Sequence, residues 1–127
     1  MKELSLTKIN EDARGQIYII EGFNDIPELT LFTTKSNKAR GGCIHHINDE
    51  NCTVLSGRVI YVVGDKVSSK KTSESIIIPK STPHYFFSNT DSVVIEWGAT
   101  AAEKKEKHKE FRAIVDGIND RTDKTII

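Results

Sequence analysis

The sequence predicts an all-β fold, an antiparallel sandwich or barrel of short strands that is followed by one C-terminal helix. Between Ser5 and Trp97 the apolar residues recur in short β-branched or aromatic runs that Gly, Pro, Asn and Asp interrupt, which is typical of many short strands. After Gly98 the chain becomes rich in Ala, Glu and Lys, and its apolar residues take helical spacing. A chain of 127 residues, 37% of them hydrophobic, can build one core, which predicts a single domain.

Each predicted strand is a short apolar or alternating run that ends at a turn signal. The turns include Arg14-Gly15, Ser56-Gly57 and Gly64-Asp65. Their regular spacing favours an antiparallel sandwich or barrel. The predicted strands are Leu4–Ile9, Gln16–Glu21, Glu28–Thr33, Gly42–Asn48, Cys52–Leu55, Val59–Val63, Ser75–Ile78 with Pro83–Phe87, and Ser92–Trp97.

Residues 99–120 are predicted to form an amphipathic helix that packs on the barrel of residues 1–98 or on a partner subunit. Its apolar positions, Phe111, Ile114, Val115 and Ile118, follow the i, i+3, i+4, i+7 pattern of a helix with one buried face. Residues 121–127 show no such periodicity, and we expect this tail to fray.

Charge and hydropathy exclude several classes of partner. Lys and Arg number 18 against 18 Asp and Glu, so the chain lacks the basic footprint that nucleic acid or an anionic membrane surface requires. No apolar run approaches the roughly 20 residues of a membrane-spanning helix, and the first residues do not resemble a signal peptide. We therefore expect a cytoplasmic protein, in which Cys43 and Cys52 are reduced thiols.

Two stretches place reactive groups inside strand-like patterns. In residues 40–57, a tight hairpin at 48–51 predicts that Cys43 and His45 share one face with Glu50 and Cys52, while His46 points outward. In residues 78–89, His84 follows a turn bounded by two prolines and precedes an aromatic run. A thiol, two imidazoles and a carboxylate that meet in an apolar interior predict a catalytic or ligand-binding site.

The order of these motifs resembles the cupins of the RmlC-like jelly-roll class. The resemblance covers residues 12–98: a Gly-rich approach, a pair of the H-x-H type, Glu50 after a short gap, Val-Leu-Ser-Gly, and later Pro-x-x-x-Pro-His. In metal-dependent members this pattern implies four ligands, here Cys43, His45, Glu50 and His84, with Cys43 at the position of the first histidine. Because thiolate is a soft ligand, such a set favours Zn or Fe over Mg or Mn.

The first part of the chain is also similar in layout to cupins that isomerise or epimerise nucleotide-linked keto-sugars, especially sugar 3,4-ketoisomerases, which work without metal. Asp12-Ala13-Arg14-Gly15 and Arg40-Gly41 carry this similarity. It implies proton transfer by histidine on a nucleotide-linked sugar. Under this hypothesis the residues and roles are His45 as base, His84 or Tyr61 as acid, Glu50 as the group that orients an imidazole, and Arg40, with Arg58 and Lys80 as weaker candidates, as the cations for the diphosphate.

Three functional classes remain open at this point. They are an isomerase or epimerase of a carbohydrate, a metal-dependent oxygenase or other metalloenzyme, and a binding module that holds a small molecule without turnover. Cupin-like chains commonly form homodimers, and here strand Leu4–Ile9 or the helix around Phe111 is the expected contact.

Overall fold

The structure, a computed structural model, describes residues 3–100 and 103–123. Strands and one helix follow one another in this part of the chain. They are β1 (Ser5–Asp12), β2 (Gly15–Glu21), β3 (Leu29–Thr34), β4 (Ala39–His45), β5 (Glu50–Ser56), β6 (Arg58–Val63), β7 (Lys66–Lys71), β8 (Ser75–Ile78), β9 (His84–Ser88), β10 (Ser92–Trp97), β11 (Lys105–Lys107) and α1 (Lys109–Asp123).

The strands form two antiparallel sheets that face each other. The six-stranded sheet has the order β1-β2-β3-β10-β5-β8, and the five-stranded sheet has the order β11-β4-β9-β6-β7. This arrangement confirms the predicted antiparallel jelly roll with a single C-terminal helix. In the part of the chain that is described, no helix is long and apolar enough to cross a membrane.

The hydrophobic core fills the space between the sheets. Strand alternation directs Val59 and Tyr61 inward from one sheet and Val54 and Val94 inward from the other, and all four are at most 1% exposed. Phe86 packs against Tyr61 with its ring centroid 5.6 Å away. Cys52 and Ile78 complete this cluster.

The C-terminal segment covers the edge of β4, which would otherwise expose unpaired backbone groups. Strand β11 pairs with residues 43–45. Along the rest of the edge, the His108 backbone N–H donates to the Gly42 carbonyl, the Arg112 side chain donates to the Gly41 carbonyl, and the Asn119 amide exchanges two hydrogen bonds with Ala39. The helix is therefore anchored to the strand that carries the first motif.

Three expectations about the fold need correction. Strand β7 was not predicted, because an edge strand with the sequence KVSSKK lacks an apolar face. The helix runs over Lys109–Asp123 rather than 99–120, and part of the expected helix is instead strand β11. Strands β4 and β5 do not form a hairpin, because they belong to different sheets. Residues 121–123 of the expected frayed tail belong to the helix. Residues 101–102 of the expected helix and residues 124–127 of the expected tail lie outside the described residues.

Candidate functional site

A bulge in β4 brings two functional groups onto one wall. Arg40 pairs with Phe86 and Cys43 pairs with His84, and the register shifts between Gly41 and Cys43. In a regular strand, residues three apart point to opposite faces. The extra residue, Gly42, reverses the alternation, so Arg40 and Cys43 both line the same cavity.

Four side chains converge in that cavity from both sheets. The Sγ atom of Cys43 lies 3.9 Å from Nε2 of His45, and this Nε2 atom contacts Oε1 of Glu50. The Nε2 atom of His84 lies 3.6 Å from the same carboxylate oxygen, and the two imidazole rings stack with centroids 5.4 Å apart. The predicted convergence is thus present, although it arises from two facing sheets rather than from a hairpin.

The pKa values of this cluster shift because four ionisable groups share a partly desolvated space. Burial alone would raise the pKa of Cys43, but hydrogen bonding to His45 and His84 lowers it to about 6. Burial would lower the pKa values of the imidazoles, but Cys43 and Glu50 raise the pKa of His45 to about 9 and that of His84 to about 10. Burial opposes ionisation of Glu50 too, yet both imidazoles hold its pKa well below the usual range. Without a bound ion, the site pairs two anions with two imidazolium groups.

The structure fixes the tautomer of one imidazole. Nδ1 of His84 is 3.0 Å from the Thr82 carbonyl, to which its N–H donates. The other nitrogen, Nε2, is therefore the one that faces Glu50 and that presents a lone pair when the ring is neutral. On His45, Nδ1 is buried without a hydrogen-bond partner among the described residues.

Glu96 is a site residue that the sequence reasoning missed. It lies on β10 opposite Cys52 and lines the same cavity. One oxygen of Glu96, one of Glu50 and the Cys52 sulfur all lie within 4.8 Å of one another. Burial and the charge of Glu50 raise the pKa of Glu96 well above its ordinary value, which favours the protonated form of this carboxyl. A single acidic residue in the apolar run of residues 92–97 was the available signal.

The cavity itself has a volume of about 390 Å³, which suits a sugar-sized molecule. The cluster of Cys43, His45, Glu50 and His84 lines the cavity, together with Phe32 and Phe86. The wall also carries five cations, Arg14, Arg40, Lys105, Lys107 and Arg112, among neutral residues such as Ile9, Ile17 and Thr30. A concave site with a few convergent polar groups is the usual form of a small-molecule site.

Other predicted site residues lie elsewhere. Tyr61 belongs to the core, is 1% exposed and is not among the residues that line the cavity. Arg58 is exposed at the start of β6, and Lys80 is exposed in the loop before β9, where its backbone N–H donates to Asp49. Neither cation lines the cavity. His46 faces outward as expected and pairs with Glu106 at 2.6 Å.

Comparison with solved structures supports the fold. The capsular polysaccharide assembling protein CapF from Staphylococcus aureus is 20% identical with a TM-score of 0.65, and the match covers 84% of this chain but 33% of CapF. KdgF from Halomonas sp. is 15% identical with a TM-score of 0.64, and the match covers 75% of this chain and 87% of KdgF. A mutant of Bacillus subtilis oxalate decarboxylase OxdC is 16% identical with a TM-score of 0.66, over 91% of this chain and 34% of OxdC.

These identities are low, and the chain spans about a third of the length of CapF. The structural matches therefore show that the fold is shared, and nothing about function follows from them. A search of curated proteins by sequence found no match. The family comparison is more direct, because residues 31–99 match the family described as the cupin domain. This range contains Cys43, His45, Glu50, His84 and Glu96, so the motifs, the jelly roll and the family match agree: the chain belongs to the cupin family.

Proposed function

We propose that this cupin binds a transition-metal ion, zinc or iron, in its barrel and uses it to act on a small molecule. The observation that carries the proposal is the convergence of Cys43, His45, Glu50 and His84. The donor atoms of Cys43, His45 and His84 lie within 4.8 Å of one another, and Glu50 contacts or approaches both imidazoles.

The donor set fits such an ion. Two imidazoles, a carboxylate and a thiolate match the ligand types of zinc and iron, whereas magnesium and calcium prefer oxygen donors. Ligand atoms on a tetrahedral zinc ion are roughly 3.3–3.8 Å apart, which follows from bond lengths of 2.0–2.3 Å. The separations of 3.9 Å between Cys43 and His45 and 3.6 Å between His84 and Glu50 are close to this range. The direct contact between His45 and Glu50 is shorter, so these two side chains would move apart to bind the same ion.

The electrostatics of the cluster also suit a divalent ion. The lowered pKa of Cys43 favours thiolate at neutral pH. Replacing the two imidazolium protons by one divalent ion leaves the net charge of the site unchanged, so the exchange adds no uncompensated charge to a buried site. The Thr82 carbonyl holds His84 with Nε2 toward the cluster, as the outer hydrogen bond of a metal-bound histidine commonly does.

When bound, the ion would supply Lewis-acid or redox chemistry at the cavity floor. The chain's own residues would orient the substrate and handle protons. Glu96 lines the cavity beside Glu50 and its pKa is raised, so in its protonated form it would donate a hydrogen bond or a proton to a substrate oxygen. Phe32 and Phe86 line the cavity and exclude water from part of its wall.

Elemental analysis of protein that is purified without chelators or an affinity metal tests the proposal. We expect a metal content near one ion per chain in the wild type, and its loss in the His45→Gln, His84→Gln double variant. The control is His46→Gln, which removes a neighbouring but outward-facing imidazole. Equal metal content in the wild type and the double variant, or none in either, would contradict the proposal.

Proton transfer on a nucleotide-linked keto-sugar, without metal, is the second candidate. The direct contact between His45 and Glu50 favours it, because a carboxylate that holds an imidazole is a common acid–base unit. The raised pKa values indicate that the metal-free imidazoles would donate protons, so His45 and His84 fit the acid role and the Cys43 thiolate fits the base role better.

Deuterium exchange distinguishes the two candidates. If the second holds, chelator-treated protein in D₂O will introduce deuterium at the carbon next to the carbonyl of a nucleotide-linked keto-sugar, as followed by NMR. His45→Gln should abolish the exchange, while His46→Gln should retain it. Exchange that depends on added zinc or iron would instead support the metal-dependent function.

A further inference from the structure

We propose that a second zinc ion binds beside the first, between Glu50, Cys52 and Glu96, so that the barrel holds a two-ion centre in which Glu50 is the shared ligand. The inference goes beyond the proposed function, which needs a single ion, and rests on it only because Glu50 serves both ions. Three observations carry it: the position of the donors on paired strands, the contacts of the two Glu50 oxygens, and a buried hydroxyl that lacks a partner.

The three donors come from neighbouring positions of the six-stranded sheet. Glu50 and Cys52 are two residues apart on β5, so strand alternation directs both to the same face. Glu96 lies directly opposite Cys52 on β10. One oxygen of each carboxyl and the Cys52 sulfur lie within 4.8 Å of one another. An ion among three such donors would lie at most about 2.8 Å from each, so a movement of about half an ångström reaches the roughly 2.0–2.3 Å of zinc–ligand bonds.

Glu50 can serve two ions because a carboxylate has two oxygens that bind independently. Nε2 of His45 contacts Oε1 of Glu50, and Nε2 of His84 lies 3.6 Å from the same atom. Both imidazoles therefore share Oε1, which leaves Oε2 as the atom for a second ion. The ions of two-ion centres are roughly 3.5–4 Å apart, a distance that one carboxylate spans.

A buried hydroxyl points to a missing partner in this group. Tyr61 reaches toward it from β6 of the facing sheet, is 1% exposed, and its hydroxyl has no hydrogen-bond partner among the described residues. Burial and the proximity of Cys52, Glu96 and Glu50 raise the pKa of Tyr61 well above its ordinary value, so the polar end of this side chain lies beside the three donors. An unsatisfied buried hydroxyl is costly, and a zinc ion or a water molecule bound to it would satisfy this one.

The charges of the group also suit an ion. Among residues 3–100 and 103–123, no cation lies within ion-pair distance of Glu96. Burial raises the pKa values of Cys52 and Glu96, which favours their protonated forms. Exchange of these two protons for one divalent ion leaves the net charge of the buried group unchanged. Because both protons must leave and no imidazole takes part, we expect the second ion to bind more weakly than the first and to fill only in excess zinc.

The cavity gives an ion access to this group. Glu50 and Glu96 line the cavity, whereas Cys52 and Tyr61 lie behind them in the core. An ion that enters from the cavity would therefore meet the two carboxylates first and the sulfur last. Once bound, it would remain next to the space in which a substrate lies, where two ions can hold two oxygen atoms of one molecule.

Zinc uptake at equilibrium tests the inference. Chelator-treated protein is dialysed against increasing zinc concentrations, and elemental analysis of both compartments gives the bound zinc. We expect the wild type to take up two ions per chain in two steps. Glu96→Gln keeps the shape of the side chain but removes the anionic ligand, so it should take up one. The control is Glu110→Gln, which removes an exposed carboxylate in the first turn of α1, outside the cavity, and should still take up two.

Cobalt(II) in place of zinc shows whether Cys52 is a ligand, because a thiolate bound to cobalt gives an ultraviolet charge-transfer band. Cys43→Ser removes the thiolate of the first site. In this variant excess cobalt should still produce the band, and a further Cys52→Ser substitution should abolish it. If the protein with both substitutions does not fold, Glu96→Gln in the Cys43→Ser background replaces it and should also remove the band at the same cobalt concentration.

The inference is overturned if the wild type takes up only one ion, if Glu96→Gln takes up as many ions as the wild type, or if no cobalt band remains in Cys43→Ser. These results are separable from the proposed function, because the His45→Gln, His84→Gln double variant should lose the first step of zinc uptake and keep the second. A single ion that depends on the histidines and not on Glu96 contradicts only the second site. A single ion that depends on Glu96 and not on the histidines contradicts only the first.

Discussion

His84 and Glu50 lie on different sheets, yet Nε2 of His84 is 3.6 Å from Oε1 of Glu50. The candidate metal ligands Cys43, His45 and His84 come from the five-stranded sheet, and Glu50 comes from the six-stranded sheet. An ion that all four residues bind would therefore join the two layers of the fold. Several measurable consequences follow from this and from the neighbouring features of β4.

Zinc should raise the thermal unfolding temperature of chelator-treated protein. A ligand that binds the folded state alone stabilises it by about 2.7 kcal/mol at a concentration of 100 times its dissociation constant. Differential scanning calorimetry with and without zinc measures the effect, and removal of the metal should reverse it. The shift should disappear in His84→Gln and persist in His46→Gln. An equal shift in both variants would place zinc at another site.

The two thiols should differ in reactivity. Cys43 is half-buried, and its neighbours lower its pKa to about 6, whereas Cys52 is 1% exposed and burial raises its pKa well above the ordinary value. In folded, metal-free protein at pH 7, iodoacetamide should therefore modify Cys43 and spare Cys52. Mass spectrometry of the digested protein identifies the site, and added zinc should slow the reaction. Modification of both thiols at similar rates would contradict the described environments.

Substituting alanine at two glycines should have opposite effects on stability. Gly42 has a φ of 89°, and a Cβ atom there would come 2.8 Å from the Arg112 backbone, so Gly42→Ala should lower the free energy of unfolding by about 2–4 kcal/mol. Gly117 is exposed in the helix, and apart from the neighbouring backbone of the helix itself no atom lies within 4 Å of the Cβ position, so Gly117→Ala should raise the free energy of unfolding by about 1 kcal/mol. Urea unfolding measures both. A Gly42→Ala protein as stable as the wild type would show that α1 does not pack closely on β4.

Glu96→Gln should stabilise the protein increasingly as the pH rises. The folded-state pKa of Glu96 lies above its unfolded value, so the contribution of this group is fully present at low pH and is lost as the pH rises past the unfolded pKa. Glutamine has no proton to lose and can still donate a hydrogen bond to Glu50. The variant should therefore gain up to about 1.4 kcal/mol for each pH unit between the unfolded and the folded pKa, and no more above the folded pKa. Chemical unfolding between pH 4 and pH 8 in the absence of metal measures the difference, and a difference that does not change with pH would contradict a raised pKa.

The sequence was sufficient to predict the fold class because the strand signals are local. Short β-branched runs between turn residues predicted most of the strands, and the spacing of Phe111, Ile114, Val115 and Ile118 predicted the helix near its observed position. Strands β7 and β11 carry no apolar face, since they consist largely of Lys, Ser and Glu. Their pairing is determined by contacts with β6 and β4, which no local pattern reveals.

The sequence predicted that Cys43, His45, Glu50 and His84 converge, but it did not predict the sheets from which they come. It also placed Tyr61, Arg58 and Lys80 in the site, and these residues do not line the cavity. Alternation correctly placed Cys43 and His45 inward and His46 outward. It did not reveal that β4 and β5 face each other from separate sheets, because sheet membership depends on long-range pairing. The bulge at Gly42 likewise depends on tertiary contacts, and without it Arg40 would be expected on the opposite face from Cys43. Glu96 was missed because it lacks a neighbouring motif.

The cavity draws its groups from two separate stretches of the chain. The cluster residues and Arg40 lie between positions 40 and 96, within the barrel, whereas Lys105, Lys107 and Arg112 belong to the segment that follows it. That segment is joined to the barrel mainly along one strand edge. Substitutions in that segment would change the charges that line the cavity without changing the cluster in the barrel. Ligand selectivity and chemistry could therefore evolve separately.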